Sequence, residues 1–208
     1  MTEEKLEVEG VRGILHRPEK PNGDAVALTH GAGSKMDAPL LVKLAGQFAD
    51  AGYHVLRYDL PFRQRGGTPH PSRSAEDREG IAQAVAQLRK VAKGKVFAGG
   101  ISYGGRQSAM AAAERPEMAA ALLLLSYPLH PPGKPQQMRT DYFPNLRTPA
   151  LFVHGTKDPF GGADEVREAI KLIPARTELL IVEKAAHDLK QAGAMAGEIL
   201  ARLKGLLD

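Results

Sequence analysis

The stretch that decides the fold is KVFAGGISYGGRQ, residues 95–107. A short apolar run, KVFA, enters a glycine-rich turn, and an alanine-rich segment over Tyr103–Glu114 leaves it. This order predicts a strand, a very sharp turn centred on Ser102 and then a helix. G-x-S-x-G is short enough to occur by chance in a chain with 22 glycines, so an ordinary glycine-rich turn is the alternative. Its setting between a strand and a helix favours a serine whose hydroxyl is held above the sheet.

Short apolar runs alternate with longer segments of helical spacing along the rest of the chain. The predicted strands are Val26–Thr29, Tyr53–Tyr58, Lys95–Ala98, Ala119–Ser126, Ala150–His154 and Thr177–Val182, with an antiparallel edge hairpin over Leu6–His16. The predicted helices are Pro39–Asp50, Ala75–Lys93, Tyr103–Glu114, Gly162–Leu172 and Leu189–Leu207. The alternation predicts an α/β fold, with a mostly parallel sheet of about six or seven strands and helices on both faces.

The chain is 208 residues long and contains no segment that resembles a linker, so we expect a single domain over residues 1–208. One stretch interrupts the alternation of strands and helices. Tyr127–Thr148 contains five prolines and is predicted to be mostly loop. Because this stretch is too short to fold as a cap domain, we expect an open site beneath it.

Composition excludes several classes of protein. The absence of cysteine excludes disulfides and Cys-based zinc sites, and no histidine pair has the spacing of a zinc motif, so we predict no metal. The net charge of +4 comes from scattered residues, which argues against a nucleic-acid surface. The longest apolar run, Met118–Leu125, is too short to cross a membrane. The acidic N-terminus lacks a signal-peptide profile, so we predict a cytoplasmic protein.

Five segments carry a family resemblance: LTHGAGS (28–34), DLPFRQRGG (59–67), GGISYGGR (99–106), SYPLHPPGKP (126–135) and FVHGTKDPFG (152–161). On these the chain resembles the α/β-hydrolase family, and within it the small, lid-poor branch related to dienelactone hydrolases. It is especially similar to a group that includes a testis-expressed animal protein. The resemblance implies a cofactor-free hydrolase with a small-molecule substrate and Ser102 as its nucleophile.

A serine nucleophile needs a base, and the base needs an orienting carboxylate. In this fold the acid precedes the histidine along the chain. The resemblance places the acid at Asp158, just after a predicted strand, and Asp164 in the following helix is the alternative. Asp59 lies too early in the chain. His187 is the only histidine C-terminal to Asp158, so the order requires it.

The loop His30–Ser34 follows a predicted central strand. Its glycines suggest a phosphate-binding loop, but neither G-x-x-x-x-G-K-[ST] nor G-x-G-x-x-G fits it. In the α/β-hydrolase fold this loop and the residue after the nucleophile supply the two amides of the oxyanion hole. The resemblance assigns those amides to Ala32 and Tyr103.

Several loop residues are expected at the same edge of the sheet as Ser102. We predict substrate contacts from Phe62, Arg63, Arg106, Tyr127 and Arg139, and the arginines favour an ester that carries a carboxylate. The expected function is hydrolysis of a small carboxylic ester, thioester or lactone through an acyl-enzyme. The alternative is a binding or scaffold protein that keeps the fold without useful turnover. A peptidase or acyltransferase could use the same three residues, and the sequence predicts no oligomeric state.

Overall fold

The computed structural model describes residues 1–8 and 10–208, and the strands of these residues belong to one sheet. The strands are β1 (Thr2–Val8), β2 (Val11–Arg17), β3 (Ala25–Thr29), β4 (His54–Asp59), β5 (Val96–Ile101), β6 (Leu122–Leu125), β7 (Ala150–Gly155) and β8 (Thr177–Val182). Their order across the sheet is β1-β2-β4-β3-β5-β6-β7-β8. Strands β3 to β8 are parallel, whereas β2 pairs antiparallel with both β1 and β4. The mostly parallel α/β sheet is therefore confirmed, with one strand more than expected.

Helices cover both faces of this sheet. They are α1 (Pro39–Asp50), α2 (Pro61–Gln64), α3 (Ser74–Arg89), α4 (Tyr103–Glu114), α5 (Ala163–Ala169) and α6 (Ala196–Gly205). Residues of α3, α4 and α5 join one buried apolar cluster, and residues of α1 and α6 join the other. In β3, Ala25 and Ala27 belong to the first cluster, and Val26 and Leu28 to the second. Successive side chains alternate across a strand, so each central strand contributes to two cores.

The hairpin at the start of the chain forms one edge of the sheet. Strand β2 is mostly buried between β1 and β4, whereas nearly every residue of the outer strand β1 is exposed. Glu3, Glu4, Lys5 and Glu7 place charges along that strand.

The segment before the last helix differs from the prediction. The expected continuous helix over Leu189–Leu207 is a 3₁₀ turn at Lys190–Ala194 followed by α6. Leu189 has a φ of 51°, in the left-handed region, which is incompatible with a continuous right-handed α-helix. Asp188 lies in the loop that carries His187.

The proline-rich stretch between β6 and β7 is loop apart from a 3₁₀ turn at Phe143–Asn145, as predicted. It forms no cap domain, so the edge of the sheet at which the parallel strands end is not covered by a separate layer. Among the described residues, no helix has both the length and the apolar character needed to span a membrane.

Candidate active site

Ser102 lies in the turn between β5 and α4, with backbone angles of φ 51° and ψ −114°. A positive φ strains a residue that carries a Cβ atom, and such strain is often retained at functional sites. Two glycines let the turn approach its neighbours closely. A Cβ atom at Gly100 would lie 2.4 Å from the carbonyl oxygen of Thr29, and one at Gly104 would lie 2.5 Å from that of His30. The close approach expected from the glycine spacing is present at both positions.

A hydrogen-bonded chain joins Ser102, His187 and Asp158. The Nε2 atom of His187 lies 2.8 Å from the Oγ atom of Ser102. Its Nδ1 atom lies 2.9 and 2.8 Å from the two carboxylate oxygens of Asp158. An ionised carboxylate only accepts hydrogen bonds, so Nδ1 carries the proton and Nε2 is left to accept the serine hydroxyl. The structure therefore brings together all three residues predicted as nucleophile, acid and base.

The loop after β7 holds Asp158 and His187 in this arrangement. The carboxylate of Asp158 is fully enclosed, and it accepts a hydrogen bond of 2.9 Å from the backbone N–H of Phe160. The ring of Phe160 stacks on the imidazole of His187 at a centroid distance of 4.1 Å and an interplanar angle of 29°. His154 donates from Nε2 to the Gly161 carbonyl at 2.8 Å and so secures the end of the loop. Phe160 was not predicted from the sequence, where its one signal is its position two residues after Asp158.

The two alternative carboxylates lie elsewhere. Asp164 is in the first turn of α5, where its side chain is 94% exposed and pairs with Arg167. Asp59 is buried at the end of β4 and accepts a hydrogen bond of 2.8 Å from the backbone N–H of Met36. Neither hydrogen-bonds to His187, whose carboxylate partner is Asp158.

The loop after β3 runs beside the serine. A Cβ atom built on Gly31 would lie 3.6 Å from the Cβ atom of Ser102. In the part of the chain that the structure describes, neither the N–H of Ala32 nor that of Tyr103 donates a hydrogen bond. Both amides are thus unpaired among the described residues.

His30 holds this loop in place through two hydrogen bonds of its imidazole ring. Its Nδ1 atom donates to the carbonyl of Gly31 at 2.8 Å, and its Nε2 atom accepts from the backbone N–H of Leu60 at 3.1 Å. These partners require the neutral tautomer with its proton on Nδ1. Burial is the main cause that lowers the pKa of His30 below its usual value, which favours this neutral form.

A cavity of about 720 Å³ opens beside Ser102. This volume lies within the range of small-molecule sites in proteins. Most of its lining is apolar or backbone, with Lys43 and Lys190 as the two cations. The lining residues are Gly31, Ala32, Gly33, Ser34, Ala38, Pro39, Leu40, Lys43, Ile101, Ser102, Phe160, His187, Asp188 and Lys190.

Residues 22–203 match a protein family described as an alpha/beta hydrolase domain. The chain belongs to the α/β-hydrolase family. Among solved structures, this α/β-hydrolase is similar to a dienelactone hydrolase from Anabaena variabilis, at 24% identity and a TM-score of 0.75, over 98% of this chain and 95% of that one. It is also similar to XC6422 from Xanthomonas campestris, an α/β serine hydrolase without a lid, at 16% identity and a TM-score of 0.77, over 98% and 94% of the two chains. Est1E from Butyrivibrio proteoclasticus matches at 16% identity and a TM-score of 0.75, over 100% and 99%.

The five residues predicted to contact substrate do not line the cavity of this α/β-hydrolase. Tyr127 is only 1% exposed and packs against Phe143 and Phe152 in the core. Its hydroxyl donates to the carbonyl of Arg139 at 2.6 Å. The proline-rich stretch folds back onto the core, which withdraws its aromatic side chains from the open edge.

None of the three arginines of that prediction lines the cavity. Arg139 donates to the Pro128 carbonyl at 3.3 Å, and its pKa is lowered by burial and by the nearby charge of Arg106. The backbone carbonyl of Arg106 is 3.5 Å from the Tyr142 hydroxyl, which places that residue against the same packed stretch. Phe62 is 3% exposed, and Arg63 contacts the loop that contains Ala32. Sequence position could not give the side-chain directions of these residues.

Within residues 1–8 and 10–208, the His, Asp and Glu side chains form no group of three or more that could hold a metal ion. The carboxylates and imidazoles around Ser102 are instead engaged with one another and with backbone groups.

Proposed function

We propose that this α/β-hydrolase is a serine hydrolase that cleaves a small carboxylic ester, thioester or lactone through an acyl-enzyme. One observation carries the proposal: the chain of hydrogen bonds from Ser102 Oγ through His187 to Asp158, at the edge of a cavity. A hydroxyl that donates to a carboxylate-oriented imidazole is the arrangement that activates serine for acyl transfer.

The reaction begins when Ser102 Oγ attacks the acyl carbonyl and its proton passes to Nε2 of His187. Asp158 holds the imidazole in the required tautomer and stabilises the imidazolium that forms. The carbonyl oxygen becomes an oxyanion, for which the free N–H groups of Ala32 and Tyr103 are the donors. His187 then returns the proton to the leaving oxygen or sulfur, and the acyl group remains on Ser102.

Deacylation repeats these steps with water as the nucleophile. His187 takes a proton from water, the hydroxide attacks the acyl carbonyl, and the same two amides stabilise the second oxyanion. His187 finally protonates Ser102 as the carboxylic acid leaves. An oxyanion-hole donor is typically worth about 3 kcal/mol of transition-state stabilisation, so the two amides account for a large share of the expected rate.

Labelling with a fluorophosphonate probe tests this function without knowledge of the substrate. We expect wild-type protein to be labelled and Ser102→Ala to remain unlabelled. Ser34→Ala is the matched control, because Ser34 also lines the cavity but its hydroxyl donates only to the Lys35 carbonyl. Wild-type protein that resists the probe would contradict the proposal and favour the non-catalytic binding protein.

The cavity lining supports an acyl group with an apolar body. Ala38, Pro39, Leu40, Ile101 and Phe160 are among the apolar residues that line it. Lys190 is paired with Asp188 at 3.0 Å, whereas Lys43 forms no ion pair with any described residue. An anionic group on the substrate would therefore pair with Lys43, a role for which arginines were predicted from the sequence.

Substitution of Lys43 tests this preference. We expect Lys43→Met to lower kcat/KM for the mono-p-nitrophenyl ester of adipic acid about 5-fold, since an exposed ion pair contributes at most about 1 kcal/mol. The neutral ester p-nitrophenyl hexanoate should be unaffected, and Lys43→Arg should keep the wild-type ratio. Lys35→Met, which removes an exposed lysine outside the cavity lining, is the control. Equal losses on both esters would exclude a charge-recognition role for Lys43.

A further inference from the structure

The short helix α2 touches both segments that carry the free amides beside Ser102. It follows β4 in the segment DLPFRQRGG, and its outer neighbours are the loop after β3 and the first residue of α4. Its Pro61 packs on α3, where a Cβ atom at Gly80 would lie 2.6 Å from the proline Cγ atom. A helix of four residues has little stability of its own, so these contacts determine its position.

The first segment is the loop after β3, which contains Ala32. Hydrogen bonds from Arg63 and from His30 fix the two peptide groups on either side of the Ala32 Cα atom. Arg63 donates from Nη2 to the Ala32 carbonyl at 2.9 Å, which fixes the following peptide group. The preceding peptide group is held by His30, whose imidazole donates to the Gly31 carbonyl and accepts from the N–H of Leu60 just before α2. The Gly31 carbonyl and the Ala32 N–H belong to one planar unit, so fixing the former orients the latter.

The second segment is the start of α4, which contains Tyr103. Asp77, which is only 1% exposed, connects this segment to α2 by hydrogen bonds. One oxygen of Asp77 accepts from the backbone N–H of Phe62 at 3.2 Å, and the other accepts from the Tyr103 hydroxyl at 2.7 Å. Burial, together with this carboxylate, raises the pKa of Tyr103, so its hydroxyl stays protonated as a donor.

The ring of Phe62 lies between the two segments. Its centroid is 5.5 Å from that of His30 and 5.7 Å from that of Tyr103, with interplanar angles of 72° and 83°. Both are edge-to-face contacts, a geometry that aromatic rings favour. The guanidinium of Arg63 lies 5.2 Å from the same ring, which adds a cation–π contact.

We propose that α2, through the positioning residues Phe62 and Arg63, sets the spacing of the Ala32 and Tyr103 amides and so tunes the oxyanion hole. The inference rests on the proposed serine hydrolase function. Donors of this kind act only when they are placed for the oxyanion before the reaction begins. A brace of this kind, a short helix that contacts both amide-bearing segments and is itself held against α3, supplies this preorganisation, and neither Phe62 nor Arg63 needs to touch the substrate.

Arg63→Met tests the brace with little risk to folding, because the change removes one hydrogen bond at a solvent-accessible side chain. We expect kcat to fall about 10-fold with KM within twofold of wild type, since displacement of an oxyanion donor costs less than its removal. The inhibition constant of an alkyl trifluoromethyl ketone, whose hemiketal oxyanion occupies the same amides, should rise by the same factor. Arg63→Lys, which keeps a donor, should recover part of both losses.

Arg65→Met is the matched control. Arg65 lies in the same segment, but it pairs with Glu76 at 2.8 Å and contacts neither amide-bearing segment. It should match wild type in kcat, KM and inhibitor affinity. Phe62→Leu, which removes the edge-to-face contacts but keeps an apolar side chain, should repeat the Arg63→Met pattern.

The two proposals fail in different ways. The proposed function would be wrong if wild-type protein neither turned over esters nor reacted with the fluorophosphonate. Active wild-type protein with an Arg63→Met variant of unchanged kcat and unchanged inhibitor affinity would overturn the brace alone. A loss that appears in KM and not in inhibitor affinity would also overturn it, because that pattern indicates a substrate contact.

Discussion

Replacing Ser102 with alanine is expected to lower kcat for p-nitrophenyl hexanoate by about 10⁶-fold, the loss typical of removing a serine nucleophile from such a constellation. Only the Oγ atom is deleted, and with it the hydrogen bond of 2.8 Å to His187. The imidazole remains hydrogen-bonded to Asp158 and stacked on Phe160, so the site should keep its shape. Initial rates on the ester measure the effect, and thermal unfolding tests the integrity of the fold.

The melting temperature of Ser102→Ala should stay within a few degrees of wild type, because alanine keeps the Cβ atom that already occupies the strained turn. Ser34→Ala, which removes a second cavity hydroxyl, should retain the wild-type rate. If a folded Ser102→Ala protein kept wild-type turnover, the nucleophile would have to be a group other than Ser102.

Replacing Asp158 with asparagine is expected to lower kcat by about 10⁴-fold, as loss of the orienting carboxylate does in serine proteases. The amide has nearly the shape of the carboxylate, but its NH₂ group cannot accept the hydrogen bond that Nδ1–H of His187 donates. The imidazole would then favour the tautomer with its proton on Nε2, where it cannot accept the hydroxyl of Ser102. The single-turnover rate of ester cleavage reports this change directly.

Asp164→Asn is the matched control, since Asp164 lies six positions further along the chain and its side chain is 94% exposed. It should be nearly neutral for both kcat and stability. If Asp164→Asn lost activity and Asp158→Asn kept it, the acid would have to be Asp164 of α5 and not Asp158.

The order of elements could be read from the sequence wherever local chemistry decided the backbone. Helices α1 and α4 have the predicted bounds, Pro39–Asp50 and Tyr103–Glu114, because proline or the glycine turn marks each start. Strand β8 also has its predicted bounds. The meeting of Ser102, Asp158 and His187 followed from parallel strands, whose carboxyl ends lie along one edge of the sheet.

Side-chain direction in the loops could not be read in the same way. Nothing local in YPLHPPGKP indicates that Tyr127 points into the core, because its packing partners Phe143 and Phe152 lie 16 and 25 residues further along the chain. Arg63 was predicted to contact substrate, whereas its side chain donates to the Ala32 carbonyl at 2.9 Å, a contact that the sequence does not indicate. Phe160 was missed for a related reason: its stacking partner His187 is 27 residues away along the chain.

The charged outer strand β1 bears on how copies of this protein meet in concentrated solution. An edge strand leaves a row of backbone N–H and C=O groups that another strand could extend into a larger sheet. Glu3, Glu4, Lys5 and Glu7 decorate this row, and an incoming β1 from a second molecule would bring the same predominantly negative set against it. Like charges placed opposite one another destabilise strand pairing. We therefore expect the charged residues of β1 to oppose edge-to-edge pairing between two molecules along this strand.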